Sequence, residues 1–163
     1  MPKKLHHVAY RCRDARETVD FYTRVVGMPF VHAIINERVP SLQEPCPHIH
    51  IFFGMDDGSC LAFFELADAP PAQKDENTPD WVQHLALEVA DVPTLLAARR
   101  RIEEAGVQVT GPTNHGFCQS IYFVDPSGHR MELTAPTESA EDRERFRREA
   151  REKLDAWTAR AHS

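Results

Sequence analysis

The sequence predicts an α+β fold built from two tandem copies of a β-α-β-β-β unit followed by a helix, and three observations carry that prediction. The stretch HHVAYRCRD near the N-terminus returns as QHLALEVAD, so that His7 stands seven residues before Asp14 as His84 stands before Asp91. After each aspartate comes a helical pattern that stops at a glycine. Each half then closes with two apolar segments around a polar turn.

The first unit spans about residues 4–68. Its opening segment carries two adjacent histidines, and alternation along a strand sends one inward and one outward. Asp14 is placed as a helix N-cap, Val19, Tyr22 and Val26 fall on one helical face, and Gly27 sits where the helix ends. HIHIFFGMDDGSCLAFFEL reads as two strands around MDDGS, the second bearing Glu65 among apolar neighbours. NERVPSLQEPCPH reads as a loop.

DAPPAQKDENTPD, rich in proline and charge, reads as a linker over about residues 69–80. The second unit follows over about 81–136. Asp91 is its N-cap, Leu95, Ala98, Ile102 and Ala105 form its helical stripe, and Gly106 its stop. SIYFVDPSGHRMEL reads as two strands around DPSG, with Glu132 in the last. The tail, residues 137–163, reads as one charged amphipathic helix capped by Ser139 with Asp142, carrying the stripe Phe146, Ala150, Leu154 and Trp157 for docking on the sheet or on a partner subunit.

Composition bounds the function classes. Apolar residues at 42% and charged residues at 27% describe a folded globular chain. A net charge of −6 lacks the basic face that phosphates require, which argues against nucleic acid. No stretch of eighteen apolar residues and no signal-peptide pattern occurs, and the tail's polar face mixes both signs, so a cytoplasmic protein with no membrane role is expected. Cys12, Cys46, Cys60 and Cys118 show no metal or disulfide spacing and read as buried reduced thiols.

If the units pair about a pseudo-twofold, their first and last strands bring His7, Glu65, His84 and Glu132 toward one centre. Two imidazoles and two carboxylates form a site for one divalent metal ion: iron, nickel, cobalt, zinc or manganese.

HHVAYRCRDARETVDFYTRVVGM, AFFEL, QHLALEVADV and FVDPSGHRMEL resemble the vicinal oxygen chelate superfamily of glyoxalases, extradiol dioxygenases, epimerases and antibiotic-resistance proteins. The resemblance covers about residues 4–136. It implies a cup-shaped mixed sheet with the metal in the cup, His7, Glu65, His84 and Glu132 as its ligands, and a homodimer. It also implies that Arg11 is a substrate contact, at a position that meets an anionic thiol-cofactor group in glyoxalase-like members.

Two enzyme chemistries and one binding role follow. With two carboxylate ligands, Glu65 or Glu132 could leave the metal and act as general base toward a metal-polarised small oxygen-rich metabolite, which is isomerase or lyase chemistry. The residues DWVQ before His84 and ELADAPP after Glu65 depart from the glyoxalase pattern, against glutathione. The alternative is an Fe(II) extradiol-type ring-cleaving dioxygenase, for which the resemblance implies Tyr122, ten residues before Glu132, as a catalytic tyrosine. The histidine such enzymes carry near Ser59 or Cys60 is absent here. His115, beside Asn114 in PTNHGF, or His50 in HIHIFF could replace it, with His50 and Asn114 as substrate contacts. A non-catalytic small-molecule binder is the third reading.

Overall fold

The computed structural model describes residues 1, 3–39, 41–42, 44–67 and 77–160. Two four-stranded mixed sheets form, one per repeat. The first holds β1 (His7–Arg11), β2 (Phe30–Arg38), β3 (Pro45–Gly54) and β4 (Cys60–Leu66) in the order β1-β4-β3-β2. The second holds β5 (Leu85–Glu88), β6 (Thr110–Asn114), β7 (Cys118–Val124) and β8 (Arg130–Pro136) in the matching order β5-β8-β7-β6. In each sheet the first strand lies parallel to the last and the remaining pairs are antiparallel. The tandem β-α-β-β-β expectation and the α+β class hold.

The helices start where the aspartates place them. Asp14 accepts the Glu17 amide at 2.7 Å to open α1 (Ala15–Asp20), and Asp91 accepts the Thr94 amide at 2.8 Å to open α2 (Val92–Glu104). The first helix runs on as a π-helical turn over Phe21–Val26 and ends at Gly27, whose φ of 89° is the left-handed conformation that glycine adopts without a Cβ clash. Tyr22, Val26, Leu95, Ala98 and Ile102 are buried, while Ala105 is exposed at the end of α2.

Two local expectations change, and a third falls outside the described residues. Residues 36–38 and 45–48 of the expected loop belong to β2 and β3, because the chain turns back tightly between them. The expected linker falls largely outside the described residues, at 68–76. In α3 (Ala140–Arg160), Ser139 and Asp142 form the expected reciprocal cap, but of the stripe only Phe146 is partly covered, beside Phe117 with ring centroids 6.3 Å apart. Ala150 and Leu154 are exposed, and the side chain of Trp157 lies outside the described residues. Among the described residues no helix is long and apolar enough to cross a membrane, and all four cysteines are free.

One hydrophobic core joins both repeats. It gathers Ile51, Phe53, Leu61 and Phe63 from the first sheet and Ile121, Phe123, Met131 and Leu133 from the second, with residues of both helices among them. Phe21 meets Phe123 across the seam with ring centroids 6.2 Å apart, and Arg101 donates to the Val25 and Val26 carbonyls at 2.8 and 2.6 Å. The helix-bearing faces of the two sheets therefore point toward each other and their opposite faces point outward.

The polar link at this seam is buried. Tyr22 Oη donates to Asp125 Oδ2 at 3.0 Å, and the other oxygen of Asp125 accepts the Ser127 and His129 amides of the β7–β8 turn at 2.9 and 2.8 Å. Burial and the Asp125 charge push the Tyr22 hydroxyl far above its ordinary range, so it remains a donor. Tyr22→Phe is expected to lower the unfolding free energy by about 2 kcal/mol, the scale of a hydrogen bond to a charged acceptor. Urea melts check this, with a lower midpoint and an unchanged m-value.

Candidate active site

Strand alternation decides which side chains can meet. In the second sheet Ala86 of β5 and Tyr122 of β7 both stand opposite Glu132 of β8, so the three share the outward face. Arg130, two residues before Glu132 on the same strand, belongs to that face too, and His84 precedes β5 in the same phase as Ala86. These side chains line a cleft of about 740 Å³, together with Trp81, His115 and Glu138.

Glu132 is 6% exposed, and its Oε2 lies 3.0 Å from His84 Nε2. The other His84 nitrogen, Nδ1, lies 3.1 Å from the Val82 carbonyl. A carbonyl only accepts, so Nδ1 carries a proton and Nε2 is the nitrogen turned toward the carboxylate oxygen. Two electron-pair donors facing each other at that distance require a proton or a cation between them.

Tyr122 stands beside this pair. Its hydroxyl lies 2.7 Å from His115 Nε2, and the Arg130 guanidinium carbon lies 4.5 Å from its ring centroid. Burial, followed by the Glu132 charge, raises the Tyr122 pKa above its ordinary value, and Arg130 opposes the rise. Asn114 does not line the cleft. Its side-chain oxygen accepts the Gly116 amide at 2.8 Å, so it shapes the turn that presents His115.

In the first sheet, His7 and Arg11 lie in phase on the outward face, as do His50 and Phe52 of β3. The His7 ring stands 5.8 Å from that of His50 and 5.7 Å from that of Phe52, and its Nδ1 lies 2.7 Å from Nδ1 of His6. His50 stacks on Phe64 at 3.6 Å, and its Nε2 is buried with no hydrogen-bond partner. Desolvation, followed by the neighbouring His7, His48 and His32, lowers the His50 pKa to about 4.

Glu65 corrects the expected quartet. It pairs with Ile49 on the opposite, helix-bearing face, and its Oε2 accepts the Ala15 amide at 2.5 Å, where a carboxylate complements the start of α1. The β4 residue in the place of Glu132 is Ala62: it stands opposite Ala9 as Glu132 stands opposite Ala86, and four residues past Gly58 as Glu132 lies four past Gly128. Aligning the repeats on these turn glycines would have shown the substitution. Among the described residues no three His, Cys, Asp or Glu side chains converge as a metal group, so His7 does not reach His84 and Glu132 within one chain.

The sequence model of the Glyoxalase/Bleomycin resistance protein/Dioxygenase superfamily matches residues 4–133. The chain belongs to this superfamily. It is 28% identical over 137 residues to the Bacillus subtilis (strain 168) protein named "Putative ring-cleaving dioxygenase MhqA", a match that covers 82% of this chain and 40% of that one. The chain thus spans well under half the length of that relative. Among solved structures it resembles the glyoxylase/bleomycin resistance protein/dioxygenase domain from Frankia sp. EAN1pec, with TM-score 0.68, 17% identity, and coverage of 84% of this chain and 100% of that one. It also resembles the fosfomycin resistance protein FosX from Listeria monocytogenes in complex with Mn(II) and a dihydroxypropylphosphonic acid, with TM-score 0.58, 19% identity, and coverage of 88% and 98%.

The opposed His84 and Glu132 atoms fit two ligand positions of a divalent ion. Arg130, Trp81 and Glu138 were missed from sequence, although the two-residue spacing of Arg130 and Glu132 on one strand was a usable signal for the first.

Two predictions follow from the placement of these side chains. Glu132→Gln is expected to weaken Mn(II) binding at least tenfold in titration calorimetry, whereas Glu65→Gln leaves it within about twofold and lowers thermal stability through the start of α1. The second concerns acid. The folded chain keeps His50 neutral down to about pH 4, whereas an unfolded histidine protonates near 6.5, so the unfolded state binds the extra proton between these values and stability falls as pH is lowered through that window. His50→Gln should lose less stability than the wild type between pH 6.5 and 4 in urea melts.

Proposed function

We propose that this superfamily member is an Fe(II)-dependent ring-cleaving dioxygenase whose site combines His84 and Glu132 of one chain with His7 of a second chain. The observation that carries this reading is the place of Glu65. With that carboxylate on the helix-bearing face, the donors left to the cup are two histidines and one glutamate, the set typical of non-haem Fe(II) oxygenases. The isomerase or lyase reading relied on a second carboxylate as base, and that group is occupied elsewhere.

A homodimer supplies the missing donor. The outward faces of one chain hold His7 on one side and His84 with Glu132 on the other, so a facing half-cup from a second copy completes the set. Exposed apolar side chains near both faces, including Phe30 and Val31 at the first sheet and Trp81 and Phe117 at the second, support such an association.

When bound, Fe(II) would supply open coordination positions for two adjacent substrate oxygens and for O₂. Tyr122, held protonated by burial and by Glu132, is set to donate a hydrogen bond to a substrate oxygen in the cleft. His115, 2.7 Å from that hydroxyl and exposed, can return a proton from solvent. Trp81 adds an apolar wall. A proton-transfer reaction on a chelated metabolite is the second reading, favoured by the same Tyr122–His115 pair.

Catechols offered to anaerobically Fe(II)-loaded protein test the first reading: one O₂ consumed per substrate, with a ring-opened chromophore, is expected. Tyr122→Phe should lower kcat by about 10²–10⁴-fold, the range for a general acid–base group. Exchange of substrate hydrogen with D₂O and no O₂ uptake would select the proton-transfer reading. Mixing His7→Ala with Glu132→Ala protein checks the shared site. A mixed dimer regains one intact His7–His84–Glu132 set and should recover Mn(II) binding that neither parent shows, whereas a site within one chain would recover none.

A further inference from the structure

Building on the cleft reading above, we infer that Arg130 is an anion-recognition residue, and that the molecule this cleft takes bears a carboxylate or similar compact oxyanion beside its chelating oxygens. The chain places this guanidinium with care. It rises from β8 on the same face as Glu132, and the Tyr122 ring supports it at 4.5 Å, which limits the directions its donors can take. Its Nε is buried from solvent and has no hydrogen-bond partner. The guanidinium lines the cleft with no carboxylate paired to it among the described residues, so its charge calls for an anionic partner that enters the cleft.

None of the cleft's carboxylates pairs with Arg130, although one oxygen of Glu138, Oε2, is itself buried without a partner among the described residues. Glu132 faces His84 at 3.0 Å, and Glu138 pairs with Arg143 at 3.4 Å. Glu88 stands opposite Thr134, one step farther along the sheet than Glu132. No carboxylate pairs with Arg130 among the described residues. Chemistry then narrows the ligand: the N–H groups of a guanidinium form a planar fork that matches the two oxygens of a carboxylate, a geometry that lysine cannot reproduce. A neutral ligand would leave the Arg130 guanidinium without a counter-charge.

The test uses catechol as the neutral probe and 2,3- and 3,4-dihydroxybenzoate as anionic probes. Each is titrated into Mn(II)-loaded protein while Trp81 fluorescence is followed, in a Trp157→Phe background that leaves one tryptophan. At least one dihydroxybenzoate is expected to bind ~tenfold or more tightly than catechol, as one bidentate charge-assisted contact would give. Arg130→Met should erase that preference while catechol affinity changes less than about threefold, and Arg130→Lys should restore only part of it.

Equal affinity for neutral and anionic probes in the unsubstituted protein would overturn the inference. So would an Arg130→Met variant that weakens all probes alike, which would mean that Arg130 only supports Tyr122. The preference without O₂ uptake by Fe(II)-loaded protein would sustain the anion site and overturn ring cleavage. Oxygen uptake with catechol and no charge preference would do the reverse, and failure of every probe to bind would overturn both.

Discussion

Phe21 of the first repeat resting on Phe123 of the second is the contact around which the site is arranged. Each sheet has one face covered by helix, and the two covered faces share a single core because that arrangement buries the most apolar side chain in a chain of this length. The polar groups caught at the seam are satisfied there: Tyr22 by Asp125, and the Val25 and Val26 carbonyls by Arg101. Once the helix-bearing faces meet, the other faces turn outward. His7 and Glu132 then stand on different outward faces, which is why a second chain enters the proposed site.

The electrostatics of the cleft follow from which partners are within reach. The Val82 carbonyl engages Nδ1 of His84, which leaves Nε2 facing Glu132. Glu132 and burial together favour the protonated form of Tyr122. Arg130 pulls the other way and lies against the Tyr122 ring with one donor unmet. The proposed cation at His84 and Glu132 and the inferred anion at Arg130 are complementary demands on one cleft.

The first outward face has a different character. His50 is held neutral by desolvation and by its histidine neighbours, stacked flat on Phe64. Where the second sheet has Glu132, the first has Ala62, so its polarity comes from imidazoles with no carboxylate in that row. The two half-cups have kept one backbone plan while dividing the chemistry between them.

Much of this was legible in the chain itself. The histidine–aspartate spacing located both repeats, the aspartates marked both helix starts, and the glycines marked the helix ends and strand turns, because caps and tight turns depend on a few adjacent residues. The superfamily was readable by resemblance, and the repeat and that resemblance singled out His84, Glu132, Tyr122 and His115, which line one cleft. Glu65 was misplaced because a strand alternates with period two, so an odd shift in aligning the repeats carries a side chain through the sheet to the other face. Tertiary structure alone decided that Glu65 serves the start of α1, that Arg130 lies on Tyr122, and that the two half-cups face apart, since each depends on contacts between segments that no local pattern brings together.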